Sequence, residues 1–293
     1  MTLLKSEKLI ADIQQANKLQ DLLDISRLKE EFKQIMKLIH PDLCGHPAAH
    51  EAVAKLNELK TNYELGKQYY NESGEFRTNG EFLIYHGKEA LLQRSWRNYQ
   101  TLMALTDEAS QHFKKYLPKA MKFEEGKLHV QLHERAIPLS GKSLPQHHVL
   151  WVLSRMLEFS GWLAQVGYVH AGINPESVFV VPETHGIVVT SFYHLTLKNT
   201  KLNTLNAKYR NWYPPKIFKE KRAVPVIDLE LCKKTAIYLM GDPSGSGIRL
   251  KKTHHHEFID FVIAQDHEPF EAYQKYRAML KRNFKSKFHQ LDW

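Results

Sequence analysis

A proline between two amphipathic patterns limits how the first part of the chain can fold. Apolar residues recur at helical spacing in SRLKEEFKQIMKLI: Leu28, Phe32, Ile35 and Ile39. That run ends at His40-Pro41-Asp42, where Pro41 lacks a backbone donor and disfavours the helical conformation at the residue before it. A second helical pattern, AAHEAVAKLNELKTNYELGKQYY, follows Gly45. The sequence therefore predicts two helices joined by a short loop.

A third helical pattern, at about residues 5–22, completes a predicted three-helix unit of about 70 residues. Lys29, Lys33 and Lys37 recur every four residues and form a basic line along the middle helix. The bare tripeptide His-Pro-Asp is also what a simple helix stop would look like. Its context, a basic amphipathic helix before it and another helix after it, is more specific.

In that context, residues 1–70 resemble the J-domain of DnaJ-type co-chaperones. LKEEFKQIMKLIHPD is similar to the second helix and loop of that family, and LNELKTNYEL to its third helix. The resemblance implies docking on a DnaK-type ATPase chaperone and stimulation of its ATP hydrolysis. The residues it assigns to this contact are His40, Pro41, Asp42, Lys29, Lys33 and Lys37. Leu38 stands where the family commonly has a basic residue.

The rest of the chain has a mixed pattern. The polar stretch NESGEFRTNG (71–80) predicts a linker, GEFLIYHGKEALLQRSW short strands, and NYQTLMALTDEASQHFKKYL one helix. Hairpins are predicted around Glu125-Gly126 and in SVFVVPETHGIVVTSF, with long apolar helices before and after the second hairpin.

YVHAGINPESVFVVPETHGIVVTSF resembles the catalytic loop and following hairpin of protein kinases, His-Arg-Asp-x-x-x-x-Asn, two strands and Asp-Phe-Gly. His170 matches the histidine, and Asp228 matches the aspartate of the buried helix that holds this loop. The positions that carry the chemistry are changed. Gly172 replaces the catalytic aspartate, Asn174 the lysine after it, Ser177 the metal-binding asparagine and Ser191 the metal-binding aspartate.

The resemblance covers about residues 80–290 and implies a pseudokinase, because phosphoryl transfer depends on metal-held charge and the residues that would hold Mg-ATP are replaced. Residual nucleotide binding by this part of the chain stays open. No glycine-rich phosphate loop precedes EALLQRSW, where the ATP lysine position falls on Gln93 or Arg94, and Glu108 has no lysine partner. The expected fold is a multidomain α+β protein: a J-domain (1–70), a linker (71–80), a small kinase-like lobe (81–141) and a helical lobe (142–293).

The net charge of +9 lies entirely after residue 70, since residues 1–70 carry ten basic and ten acidic side chains. We interpret this excess as a generally basic surface rather than a nucleic-acid site. Two distant cysteines, with no signal peptide and no membrane span, favour the reducing cytoplasm.

The expected protein is a co-chaperone without enzymatic activity, cofactor or metal, whose residues 81–293 bind an unidentified client. Two alternatives remain open. One is an atypical kinase or nucleotide-binding enzyme that uses displaced carboxylates such as Glu176, Glu183 or Asp228. The other is a basic adaptor for nucleic acid.

Overall fold

The chain has a mixed α/β structure, with an N-terminal helical region followed by a region that contains sheets. The computed structural model describes residues 2–24, 27–202, 204–265, 268–285 and 289–291. Its contacts divide the chain into two compact units: an N-terminal unit of residues 1–68 and 77–79, and a C-terminal unit of residues 69–76 and 80–293. Among the described residues, no helix has both the length and the hydropathy that crossing a membrane requires.

The N-terminal unit is helical, as its apolar periodicity predicts. Its helices are α1 (Thr2–Gln15), α2 (Leu28–Ile39), α3 (Pro41–Cys44) and α4 (Ala49–Leu65). Side chains from all the long helices share one core, which includes Ile10, Ile13, Ile35, Ile39, Ala52, Leu56 and Leu59. The predicted first helix is too long: α1 ends at Gln15 and a separate turn spans Leu19–Asp21. The last helix ends at Leu65 because Gly66 follows it at φ +81°.

A sheet of order β1-β2-β3-β5-β4 follows these helices along the chain, and most of its residues belong to the C-terminal unit. The strands are β1 (Lys67–Asn71), β2 (Gly74–Thr78), β3 (Phe82–Gly87), β4 (Ala120–Glu124) and β5 (Lys127–Gln131). The predicted hairpin at Glu125-Gly126 is confirmed, since β4 and β5 pair antiparallel on either side of it. Helices α5 (Glu89–Met103) and α6 (Glu108–Phe113) lie between β3 and β4 in the chain.

Two local predictions are wrong here. Residues 71–80 are not a linker, because most of them belong to β1, β2 and the turn between them. Tyr69 and Phe76, whose rings stack at 5.2 Å, flank that turn, and aromatic side chains favour a sheet over a flexible segment. EALLQRSW forms the start of α5 rather than strands, and the helix predicted from residue 98 is broken between Met103 and Glu108.

The remaining predictions of secondary structure are confirmed. SVFVVPETHGIVVTSF contains β8 (Val178–Val181) paired antiparallel with β9 (Gly186–Val189), and β6 (Ile137–Pro138) joins β8. Two further short strands, β7 (Tyr168–Val169) and β10 (Thr196–Leu197), pair with each other. The helices are α7 (Gln146–Gln165), α8 (Lys216–Glu220), α9 (Val226–Leu239), α10 (His256–Ile263) and α11 (Pro269–Asn283). Their apolar faces and the sheet share one core, whose large buried side chains include Phe159, Trp162, Phe179, Phe192 and Tyr276.

Candidate functional site

The His40 loop joins α2 to α3. His40 ends α2 at φ −57° and ψ 130°, the extended conformation that a following proline favours. The backbone N–H of Asp42 donates to Nδ1 of His40 at 3.3 Å, and Pro41 is the first residue of α3. Gly45 ends the loop at φ +60°, in the left-handed region that favours glycine. The loop is therefore a defined turn.

Polar and apolar groups of this loop face solvent side by side. The side chain of Asp42 is 85% exposed and that of His40 is 45% exposed, with 3.6 Å between Oδ2 and Nδ1. Leu43 is 71% exposed, although leucine is usually buried. The carboxylate, the imidazole and Leu43 can therefore all reach a partner.

Lys29, Lys33 and Lys37 are exposed on α2, the helix that buries Ile35 and Ile39. The neighbouring acids are engaged elsewhere, since Arg27 contacts Glu30 at 3.3 Å and Glu31 at 3.8 Å. Among the described residues, no carboxylate forms an ion pair with any of the three lysines. Their charges remain available to an acidic partner surface.

A second site lies in the C-terminal unit, where Asp228 holds the chain before β8. Asp228 is at the start of α9 and is 2% exposed. Its two carboxyl oxygens accept the backbone N–H groups of His170 and Ala171, each at 2.7 Å. Burial raises the pKa of this carboxyl to about 7, against the opposing effect of the two donors.

The ring of His170 is buried and neutral. Its Nε2 lies 2.9 Å from the carbonyl oxygen of Ser191 and donates to it, which joins the loop to the segment after β9. Nδ1 has no hydrogen-bond partner among the described residues. Burial lowers the pKa of His170 to about 3, because the charged ring would be removed from water and its second N–H, at Nδ1, would have no acceptor among the described residues.

Gly172 lies against His194. A Cβ atom at residue 172 would lie 2.8 Å from Cδ2 of His194, closer than a methyl group can approach without a shift. Asn174 Nδ2 donates to the carbonyl of Gly172 at 2.9 Å, and Ser177 Oγ accepts the N–H of Asn174 at 3.0 Å. The polar side chains at these positions thus stabilise their own loop.

The turn between β1 and β2 fills the space in front of this loop. Glu72 Oε2 lies 2.7 Å from His194 Nε2, and Tyr193 donates its hydroxyl to Ser73 Oγ at 2.9 Å. Asn71 Nδ2 donates to the same tyrosine hydroxyl at 3.1 Å. The cavity that remains among these side chains has a volume of about 10 Å³. That volume suits one water molecule and not a nucleotide.

Glu176, one of the carboxylates considered for an alternative enzyme, is 3% exposed, and two side chains contact its Oε1. Lys208 forms an ion pair with it, and the hydroxyl of Tyr209 donates to it at 3.2 Å. Asp228 is occupied by backbone donors, and Glu176 lines the same cavity of about 10 Å³, which has no room for a nucleotide. Within the described ranges, no three His, Cys, Asp or Glu side chains are grouped to hold a metal ion.

The structure brings His170, Gly172, Asn174, Ser177 and Ser191 together around one small cavity. Glu72, Ser73, Tyr193 and His194 also line or close it, and sequence reasoning missed them. A signal was present: tyrosines and a phenylalanine flank Asn71-Glu72-Ser73-Gly74, which is a hairpin pattern rather than a linker.

Comparison with models of protein families finds none that matches this chain, and comparison with curated proteins finds no match either.

Proposed function

We propose that this protein is a J-domain co-chaperone. Its His40 loop recruits a DnaK-type ATPase chaperone and stimulates ATP hydrolysis there, and its C-terminal unit is a kinase-like module that binds a client or partner without catalysing phosphoryl transfer. The only ATP hydrolysis in this scheme belongs to the partner.

The observation that carries the proposal is the His40 loop itself. Its His-Pro-Asp turn is ordered by the contact from Asp42 N–H to His40 Nδ1, yet its side chains are exposed. It lies at the end of a helix that carries three exposed lysines, none of which pairs with a carboxylate in the part of the chain that the structure describes. Such a surface suits an acidic ATPase domain, since cationic groups speed the encounter and Asp42 can form a charge-assisted hydrogen bond after it.

Three features support a kinase-like arrangement of the C-terminal unit. Helix α5 follows β3 along the chain. In kinases, the helix that carries the glutamate partner of the ATP-binding lysine follows the strand that carries this lysine. The loop after β7 is followed by the β8–β9 hairpin. Asp228 holds that loop through two backbone donors.

The same unit lacks what phosphoryl transfer requires. On this alignment the ATP lysine position lies in β3, which reads FLIYHG and has no lysine, whereas Gln93 and Arg94 lie on α5. Glu72 and Ser73 fill the space in front of the loop, and the Gly172 position lacks room for a carboxylate beside His194. These contacts favour a binding role over catalysis.

The test is the steady-state ATPase rate of a DnaK-type chaperone with and without the full chain. We expect the native protein to raise the rate and His40→Gln to abolish the increase, while His50→Gln, an exposed histidine on α4, keeps it. A His40→Gln protein that stimulates as well as the native one would remove the J-domain assignment.

The lysine line is tested in the same assay. Replacing Lys33 and Lys37 by serine should weaken stimulation most at low ionic strength, because screening already reduces the attraction at high salt. Replacing the exposed Lys8 and Lys18 by serine is the matched control and should have little effect. Equal losses in both pairs would mean that total charge, not this helix face, is responsible.

The absence of nucleotide chemistry is tested by thermal unfolding with ATP, with and without Mg²⁺. We expect no magnesium-dependent stabilisation of the native chain. A concentration-dependent rise in Tm with Mg-ATP would restore the atypical-kinase alternative.

A further inference from the structure

Most of the net charge of this protein lies in one short segment. Residues 196–224 contain eight Lys and Arg and a single acid, Glu220, so they carry +7 of the chain's +9. The basic residues are Lys198, Lys201, Lys208, Arg210, Lys216, Lys219, Lys221 and Arg222. All eight are exposed. The basic excess is therefore concentrated, whereas the sequence suggested that it was spread over the surface.

The fold brings two parts of this segment side by side. Asn199 N–H donates to the carbonyl of Ala223 at 2.7 Å, and Leu202 N–H donates to that of Lys221 at 2.8 Å. Lys201 and Arg222 are directly opposite each other in this antiparallel pairing. We call Lys198, Lys201, Lys221 and Arg222 the cationic patch. The short helix α8, with Lys216 and Lys219, leads directly into it.

The patch carries an electrostatic cost. Lys198 Nζ donates to the carbonyl oxygen of Ala164 at 3.4 Å and Arg222 Nε donates to that of Asn199 at 3.2 Å, but these neutral acceptors do not cancel the charges. Like charges directly opposite each other on paired strands destabilise the pairing. Lys208 is neutralised by Glu176, but within the described part of the chain no carboxylate forms an ion pair with the four patch residues. An anionic partner would remove this repulsion, which makes its binding favourable.

Apolar groups accompany the charges. Leu197, adjacent to Lys198, is 53% exposed, and Phe218 on α8 is 36% exposed. The guanidinium of Arg210 lies 5.0 Å from the centre of the Phe218 ring, so one face of that ring is already covered. A nucleic acid would use open aromatic faces and favour arginine, whereas six of these eight cations are lysines.

We propose that the cationic patch, with Leu197, binds an acidic segment of a partner protein that also carries apolar side chains. The lysines and Arg222 attract its carboxylates, and Leu197 contacts its apolar groups. The inference rests on the proposed role of the C-terminal unit as a partner-binding module, and it names the chemistry of that partner.

The experiment is fluorescence anisotropy with the full chain and a labelled 20-residue peptide of glutamate, aspartate and interspersed leucine, from low to high NaCl. We expect the binding affinity to fall steeply with salt. Replacing all four patch residues by serine should weaken binding at low salt at least about tenfold. The control replaces four other exposed cations, Arg249, Lys252, Lys275 and Lys281, and should change affinity by less than about threefold.

Leu197→Ser separates the apolar contact from the charges. It should weaken the binding of the leucine-containing peptide several-fold but leave the affinity for an all-glutamate peptide unchanged. The proposal would be overturned if the patch and control substitutions weakened peptide binding equally, or if neither set of substitutions changed it. The protein could also bind a single-stranded RNA of equal charge, or phosphatidylserine vesicles, more tightly than the peptide. If the patch variant loses that binding, the partner is a different polyanion and the proposal is overturned.

ATPase stimulation measured on the same proteins distinguishes this proposal from the previous one. The patch variant should lose peptide binding and keep stimulation, while His40→Gln should do the reverse. If both variants still bind the peptide as well as the native protein does, the proposal for the cationic patch is refuted and the J-domain assignment is not affected. Full stimulation by His40→Gln refutes the J-domain assignment alone.

Discussion

Replacing Gly172 by alanine tests whether its contact with His194 requires a residue without a side chain at this position. The new methyl group would lie 2.8 Å from Cδ2 of His194. That ring is 3% exposed, and both of its nitrogens are engaged, Nε2 with Glu72 at 2.7 Å and Nδ1 with Thr204 at 2.8 Å. The ring therefore cannot move aside without weakening two hydrogen bonds.

The expected cost follows from this contact. Overpacking a well-filled site costs about 1–3 kcal/mol, and the lost hydrogen bonds place this case near the middle, at about 2 kcal/mol. In a His194→Ala background the clash is gone. Gly172 has no left-handed φ, so alanine there should be neutral or stabilising by up to about 1 kcal/mol. The double-mutant cycle should therefore show a coupling of about 2–3 kcal/mol.

The measurement is urea unfolding followed by tryptophan fluorescence. All five tryptophans lie after residue 80, so the signal reports the C-terminal unit rather than the helices before it. Gly161→Ala on α7 is the control. Its Cβ would meet no atom within 4 Å, and a mid-helix glycine-to-alanine change should stabilise by about 0.5–1 kcal/mol. If Gly172→Ala costs the same in both backgrounds, the contact with His194 does not explain the glycine.

Three further predictions use the same structure. Asp228→Ala leaves two buried backbone donors unpaired and should cost about 3 kcal/mol in urea unfolding, with Asp228→Asn intermediate; a cost below about 1 kcal/mol would contradict the bracing role of this carboxyl. The pKa of His170 is lowered to about 3 in the folded protein, so below about pH 6.5 the unfolded chain takes up a proton that the folded protein does not. The contribution of His170 to the unfolding free energy is therefore complete above about pH 6.5 and falls by about 2 kcal/mol between pH 7 and 5. The measurement is the difference in unfolding free energy between the native protein and His170→Gln at each pH. Asp228, whose pKa is raised to about 7, has the opposite pH dependence but is present in both proteins. A difference that does not change with pH would refute the neutral, buried state of His170. Leu56→Ala in the N-terminal core should cost about 3 kcal/mol and reduce ATPase stimulation, while leaving the tryptophan transition in place; a shift of that transition instead would contradict the division into two units.

Secondary structure was predictable where the signal is local. Helix α2 and the turn at Pro41 follow from apolar spacing and from the steric properties of proline, which act within a few residues. The β4–β5 and β8–β9 hairpins follow from β-forming runs around short turns. The linker prediction at 71–80 failed because polar turn residues were given more weight than the aromatic residues on either side.

The contents of the small cavity were not predictable in the same way. The motif residues His170 and Asp228 could be named from their neighbours in sequence, and the structure brings them together. Glu72 reaches His194 across 122 residues of sequence, and Tyr193 reaches Ser73 across 120. No periodicity or spacing reports such a contact, since it depends on how the sheet packs against the segment after β9.

The sequence by itself determined helix α2, the His40 loop and the β4–β5 and β8–β9 hairpins. Only the tertiary structure decided that Glu72 and Ser73 fill the space in front of the loop at residues 170–177 and that Lys201 faces Arg222. The physical reason is the range of the interactions. Steric and periodic effects act between near neighbours, whereas burial, cavity filling and the convergence of like charges depend on segments that meet only when the whole chain has folded.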